Sequence, residues 1–399
     1  MKRLLILTLL LTILVGAHSP ALGEEVFEDR LADTFRARKT TGAVLCVAKD
    51  GEIVLEYYYG YADKKNEEMV SEDTYFRTAS VTKLVTGIHV MQLVEQGELE
   101  LDCSIGDYLG YEVKNLYFPD IPVTLRHLMT HTSSLDHRGG YSVSGRPLQQ
   151  ILDASLNRKG NWYRYEPGSQ YKYSNFGAGI MGSLVEAATG KNINDSITET
   201  LFDPLNIDAA LHPALVKEPE KTAVQYEPDG NVMKSRSRAL GEKWDATVDP
   251  ELHFRITVGK LWIRGRDLCR LGIMMCQNGM LEGQRVLQED TVQEMMADQN
   301  GHGYVTVSSP YGLSVHREDS LLKDRLVYGH QGLSEGTLCN LYWEPESGLV
   351  FALITNGSNT NMSNHVGILS RACSPWCGRN LANESTAQIK GDTVFPCVK

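Results

Sequence analysis

The chain has 399 residues, 42% hydrophobic and 22% charged, enough to bury one large core or two smaller ones, which argues against disordered and fibrous classes. With 50 acidic residues against 39 basic ones it carries a formal charge of −11, which argues against a role built on gripping nucleic acid or anionic lipid.

Met1-Lys2-Arg3 precedes an apolar run from Leu4 to Gly16 and the small-residue stretch Ala21-Leu22-Gly23. That order predicts a secretory signal peptide over residues 1–23 and a secreted or periplasmic protein. No later segment is apolar enough for a membrane span, so none is expected after signal removal. Next come two β-rich runs, 42–48 and 53–61, joined by Asp50-Gly51, a hairpin signal. Tyr57, Tyr58 and Tyr59 alternate faces there, which favours packing over a stacking platform. From Ser80 to Gln96 apolar residues recur at helical spacing and Gly97 stops them, predicting a buried helix with Ser80 at its start.

Helical patterns follow at 145–158, 176–189, 265–278 and 288–298, and strand patterns at 311–317, 325–330, 337–343 and 348–355, with a last helix near 361–372. Strands at both ends and helices between predict an α+β fold. An antiparallel sheet from the N- and C-terminal parts (about 28–78 and 300–370) is flanked by helices and carries a mainly helical insertion (about 98–300), all within residues 24–370, before a tail at 371–399. Of eight cysteines, Cys46 and Cys339 lie in apolar runs and read as core thiols, while Cys397 is expected to bridge to Cys373 or Cys377.

Three short motifs carry chemistry. In Thr78-Ala79-Ser80-Val81-Thr82-Lys83, a serine in the first turn of a helix with a lysine three residues on puts hydroxyl and amine on one face. A neutral Lys83 would take the hydroxyl proton, and the helix N-terminus favours negative charge near Ser80. Alone, the same pattern also describes a capping serine and a solvated lysine. Tyr173-Ser174-Asn175 precedes a helix, where a tyrosine relays protons and an amide orients a carbonyl; the plainer reading is a loop tyrosine and a helix cap. His330-Gln331-Gly332 lies late in a strand, where a small residue admits substrate backbone and an imidazole meets an anion.

In this order around a helical insertion, the three motifs resemble the serine β-lactamase and penicillin-binding protein superfamily. The nearest branch is the class C-like one, with its D-alanyl-D-alanine carboxypeptidases, D-aminopeptidases and esterases of the same fold. The phrases Val123-Thr124-Leu125-Arg126-His127-Leu128-Met129-Thr130-His131-Thr132-Ser133-Ser134-Leu135, Glu166-Pro167-Gly168 and Arg266-Asp267-Leu268 look like the family too. The resemblance implies that Ser80 is acylated and that Lys83 and Tyr173 share the proton transfers. Asn175 would hold the substrate amide, and the backbone N–H groups of Ser80 and Leu333 would form the oxyanion hole. It implies no cofactor and no metal.

One departure matters: His330-Gln331-Gly332 stands where most β-lactamases of this kind carry Lys-Thr/Ser-Gly. The fixed cation expected to face a substrate carboxylate is replaced by an imidazole, so peptidase or esterase activity is favoured over a genuine class C-like β-lactamase. Binding of carboxylate substrates is then expected to strengthen as pH falls toward 6. A non-catalytic acyl sensor of the same fold is the other alternative. The expected partner is a small-molecule or peptide substrate; oligomeric state is left open. Two competing patterns are weaker. Gly332-Leu333-Ser334-Glu335-Gly336 matches a nucleophile elbow but precedes a strand pattern. His127 and His131 share helical spacing but lack the glutamate of a zinc protease.

Overall fold

The computed structural model describes residues 21–136, 145–156, 161–299, 311–322, 325–334 and 336–358. After helix α1 (Ala21–Ala37) come strands β1 (Gly42–Lys49), β2 (Glu52–Asp63) and β3 (Glu68–Met69). Asp50 and Gly51 both take positive φ, 53° and 90°, the left-handed pair that a two-residue hairpin turn needs. The chain returns to this sheet at its other end through β7 (His316–Leu322), β8 (Arg325–Ser334), β9 (Thr337–Glu344) and β10 (Leu349–Thr355). The result is an antiparallel sheet of order β7-β8-β9-β10-β1-β2-β3, closed in the middle by β1 against β10.

Both faces of the sheet are covered, and the period-two alternation of β1 sorts its side chains between them. Ala43, Leu45 and Val47 join Leu31 and Phe35 of α1, with Phe35 against Tyr57 and Tyr59. Val44 and Cys46 face the main core, where helix α5 (Gly265–Cys276) lies flat on the strands. Helix α2 (Val81–Glu95) runs through that core, buried from Val81 to Leu93, and packs on β8 and on helix α4 (Asn175–Thr189). A helix apolar all round has no solvent face, so both of its ends are fixed in space. A small second sheet of order β4-β6-β5, from Tyr75–Arg77, Trp262–Arg264 and Ala209–Ala210, delivers the chain to the start of α2.

The α+β architecture is as expected, but two elements differ. Among the described residues the 145–158 pattern gives only the four-residue helix Gln149–Leu152, because the Asp153 carboxylate accepts from the Ser155 N–H and hydroxyl, a local turn that competes with the helix. The strand expected at 311–317 begins only at His316: the Leu313 and Ser314 N–H groups go to the carbonyls of Met295, in helix α6 (Glu289–Met296), and Met129, in helix α3 (Leu125–Met129). The helix near 361–372 and the Cys373/Cys377/Cys397 pairing lie outside the described residues, whereas Cys46 and Cys339 are buried thiols.

Candidate active site

At the end of β4, Thr78 donates its N–H to the Leu261 carbonyl, and the chain then turns sharply into α2. Ala79 makes the turn with φ 47°, a left-handed conformation that costs a non-glycine residue on the order of 1 kcal/mol. Ser80, next in the chain, is already αR and makes no side-chain capping bond. Its Oγ instead receives the Lys83 Nζ at 2.9 Å. Lys83 is 1% exposed and donates also to the Val258 carbonyl at 2.7 Å, so neither a capping serine nor a solvated lysine describes this pair.

Burying an ammonium without a carboxylate partner destabilises its charged form. Desolvation, with the Arg77 guanidinium adding repulsion, lowers the Lys83 pKa to about 7. Near neutral pH much of Lys83 is therefore the free amine, able to accept the Ser80 proton. The sign follows: activity needs the deprotonated form, so kcat/KM is expected to rise tenfold per pH unit below about 7 and to level off above it. A pH–rate profile on a neutral substrate checks this; a limb set near 10 would put Lys83 back in the ordinary range.

Tyr173 is brought over the same amine, its ring centroid 5.3 Å from Lys83 Nζ. Asn175 follows in the first turn of α4, but the cap there is Ser174, whose Oγ accepts from the Gly177 N–H at 3.0 Å. The Asn175 amide is thus not consumed by capping, and its buried Oδ1 has no hydrogen-bond partner among the described residues. The loop holding Tyr173 is clamped from below by His131, just beyond helix α3. The His131 carbonyl accepts from the Lys172 N–H at 2.8 Å, and its Nδ1 accepts from the Ser174 N–H at 3.3 Å. Its ring packs on Tyr173 with centroids 4.4 Å apart. Bonds to the residues before and after Tyr173 fix the direction of that side chain, which makes His131 a positioning residue that pattern reading assigned only to a structural phrase.

His131→Ala is expected to lower kcat about 10- to 100-fold with KM within twofold. His131→Asn should recover most of the loss, because Asn tolerates the φ of 57° at this position and offers an oxygen to the Ser174 N–H. Steady-state kinetics and a thermal melt of both variants check it. His127 is engaged differently, in a capping box with Thr124, and among the described residues no group of three or more His, Cys, Asp or Glu is placed to hold a metal ion.

Strand β8 closes the other side of Ser80. A Cβ at Gly332 would lie 2.4 Å from the Thr78 carbonyl oxygen and 2.8 Å from the Ser80 nitrogen, so only glycine lets the strand come this close. Leu333 follows directly, 43% exposed, and Ser334 ends the strand ahead of β9 rather than a helix, which removes the elbow context. His330 is placed differently from the expectation that it faces a substrate carboxylate: it is fully buried. Its Nδ1 donates to the Gln331 carbonyl at 2.7 Å, and its ring packs against His316 at 4.3 Å and Tyr311 at 6.4 Å. The pleat puts His330 on the same face of β8 as Gly332, two residues on, and His316 and Tyr311 cover it there. Burial, with His316 and Lys83 nearby, holds the His330 pKa well below its usual value, so it stays neutral across pH 6–8 and the expected strengthening toward pH 6 has no source in this side chain.

The structure thus brings Lys83 and Gly332 against Ser80 and Tyr173 over Lys83, with His131 packed on Tyr173 and with Asn175 and Leu333 next along the same segments. Comparison with known proteins agrees with the architecture: the Beta-lactamase family model matches residues 27–373. The chain belongs to the Beta-lactamase family. Among curated relatives of this family, Esterase EstB of Burkholderia gladioli is 35% identical over 229 residues, 54% of this chain and 56% of the esterase, so the match spans little more than half of that relative. Penicillin-binding protein 4 of Amycolatopsis lactamdurans is 28% identical over 326 residues, covering 79% of this chain and 81% of that protein. Among solved structures, the octameric penicillin-binding protein homologue from Pyrococcus abyssi superposes with a TM-score of 0.70 at 21% identity, over 89% of this chain and 78% of that one. A class C beta-lactamase superposes at 0.69 and 18% identity, over 91% and 100%. At these identities the structures establish the shared fold. The esterases, amidases and beta-lactamases of this family are hydrolases.

Proposed function

We propose that this Beta-lactamase family member is an exported serine hydrolase that cleaves an ester or amide through a Ser80 acyl-enzyme. The observation that carries the reading is the 2.9 Å contact between Lys83 Nζ and Ser80 Oγ, with the amine brought to a pKa of about 7 by burial. Ser80 Oγ attacks the substrate carbonyl while its proton passes to Lys83. The tetrahedral oxyanion sits at the backbone N–H groups of Ser80 and Leu333. Tyr173, paired with Lys83, delivers the proton to the leaving alcohol or amine, and Asn175 offers its amide to the substrate. Water then enters, gives its proton back through the same pair, and releases the acid with Ser80 restored.

A neutral, buried His330 supports ester and neutral-amide substrates over a β-lactam, because no fixed cation stands at that position of β8 for a ring carboxylate. Esterase EstB among the relatives points the same way. The Met1–Gly23 pattern supports export, and no helix among the described residues is long and apolar enough to cross a membrane. The test is a panel of a short-chain nitrophenyl ester, a D-amino-acid amide, a D-alanyl-D-alanine peptide and a chromogenic cephalosporin. The ester or amide should lead; a cephalosporin turned over fastest would replace this reading by the β-lactamase alternative, and labelling without turnover would replace it by the acyl sensor.

A further inference from the structure

The segment from Asp249 to Leu261 joins a buried carboxylate to the amine beside Ser80. It lies along one face of α4, where Gly179, Gly182, Ser183 and Glu186 recur at helical spacing. A Cβ at Gly179 would fall 1.8 Å from the Phe254 carbonyl oxygen, and one at Gly182 would fall 2.8 Å from the Thr257 side chain. The two glycines thus seat the segment directly on the helix backbone. Thr257, fully buried, donates its hydroxyl to the Gly179 carbonyl at 3.2 Å, and the Ser183 hydroxyl donates to the Pro250 carbonyl. The next carbonyl along, that of Val258, receives Lys83 at 2.7 Å. Beyond it Gly259 packs on Ala79, and the Leu261 N–H donates to Thr82 Oγ1 at 3.1 Å. One end of the segment rests on α4 and the other on the first turn of α2.

Glu186 fixes the first end. It is fully buried, and its carboxylate accepts from the Asp249 N–H, the Ile193 N–H and His253 Nδ1, each at 2.8 Å. A carboxylate held out of water needs such donors, and two of the three belong to the segment. Burial opposes a charge on His253, but Glu186, with Asp249 and Asp245 nearby, outweighs it and raises the imidazole pKa. Glu186 stands eleven residues beyond Asn175 on α4, about 16 Å along the helix. A pair this deep is weak evidence for stability, since well-packed apolar side chains join a loop to a helix at least as well. What the pair adds is a defined register.

We infer that Glu186 and His253 are positioning residues of the reaction: their contact fixes the register of residues 249–258 on α4 and so holds the Val258 carbonyl against Lys83. The inference rests on the Ser80 acyl-enzyme proposed above, in which Lys83 takes the serine proton. Phe254 and Thr257, between His253 and Val258, sit so close on Gly179 and Gly182 that a shift at His253 is passed along the segment rather than absorbed. A displaced carbonyl leaves the Lys83 amine free to turn away from Ser80 Oγ, and a misplacement of about 1 Å costs on the order of 100-fold in rate. Substrate contacts at Asn175 and at the Ser80 and Leu333 N–H groups stay as they are, so the loss falls on kcat and not on KM.

The test measures kcat and KM for a neutral nitrophenyl ester in His253→Leu and His253→Asn, per site counted by fluorophosphonate labelling. Leucine removes the donor to Glu186. Asparagine restores it, because its amide nitrogen stands about where Nδ1 does, and the Nε2 it gives up has no partner among the described residues. His253→Leu should lower kcat about 10- to 30-fold with KM within twofold, and His253→Asn should return kcat to within about threefold of the unchanged protein. In His253→Leu the limb set by Lys83 near pH 7 should also move to lower pH, because a carbonyl accepts more strongly from an ammonium than from an amine. The groups around Lys83 are Arg77, Ser80, Tyr173 and the neutral His131, His316 and His330, and both variants leave all of them in place. Thr257→Val reads the same segment if His253→Leu melts too low to assay; it loses the hydroxyl bond to α4 and should lower kcat about three- to tenfold. An unchanged kcat or an unmoved limb in His253→Leu, or an asparagine variant as slow as the leucine one, would overturn the inference, as would an unchanged kcat in Thr257→Val where that variant stands in. Labelling of the unchanged protein at a residue other than Ser80 would instead fail the acyl-enzyme reading itself.

Discussion

Ser80→Ala is expected to abolish hydrolysis, by at least about 10⁴-fold in kcat/KM, and to prevent covalent labelling by a fluorophosphonate, while moving the melting temperature by less than about 2 °C. The size of the first effect follows from chemistry: the variant lacks the nucleophilic atom that among the described residues stands against Lys83, and a loss of 10⁴ corresponds to about 5.4 kcal/mol of transition-state stabilisation. The small size of the second follows from structure. A serine that caps a helix contributes about 1 kcal/mol through its side chain, but Ser80 Oγ makes no capping bond, so even that contribution is absent. The variant removes a hydroxyl from an amine that burial already keeps weakly basic. A large drop in melting temperature would mean that Ser80 serves the fold rather than the chemistry.

Lys83→Ala and Tyr173→Phe are each expected to lower turnover by about 10²–10⁴-fold, and the double variant by little more than the worse single. Lys83 Nζ donates to Ser80 Oγ and sits 5.3 Å from the Tyr173 ring centroid, and the proposed mechanism puts the three groups on one proton path. Once either member is gone, the other has no proton to pass. The double-variant cycle is read in kcat/KM with a single neutral ester. Full multiplication of the two losses would show independent roles and remove the shared path.

Much of this site was legible in the sequence because it is built from local patterns. Ser80 and Lys83 lie within one turn of a helix whose apolar spacing is unmistakable, and Gly332 stands in a strand where a missing side chain signals close approach. The sheet closed by both chain ends followed from strand patterns at either end. What pattern reading missed is what depends on long-range contact. His131 clamps Tyr173 from a segment more than forty residues away, and its own neighbourhood, a family-like phrase, does not show which loop it holds. The Val258 carbonyl that holds Lys83 is backbone and carries no residue signal at all. His330 was expected to meet a substrate carboxylate because its role was carried by resemblance; it is buried instead, packed against His316 and Tyr311. Segment 311–315 looked like a strand from its composition, but the N–H groups of Leu313 and Ser314 are taken by the carbonyls of Met295 and Met129.

The central claim is that Ser80 is the group acylated, and mass spectrometry of fluorophosphonate-treated protein tests it most directly. The account predicts one adduct per chain, formed faster at pH 8 than at pH 6 because Lys83 must be neutral, and located by tryptic mapping to the peptide Thr78–Lys83. An adduct on Ser334, or a labelled protein with Ser80 unmodified, would contradict it.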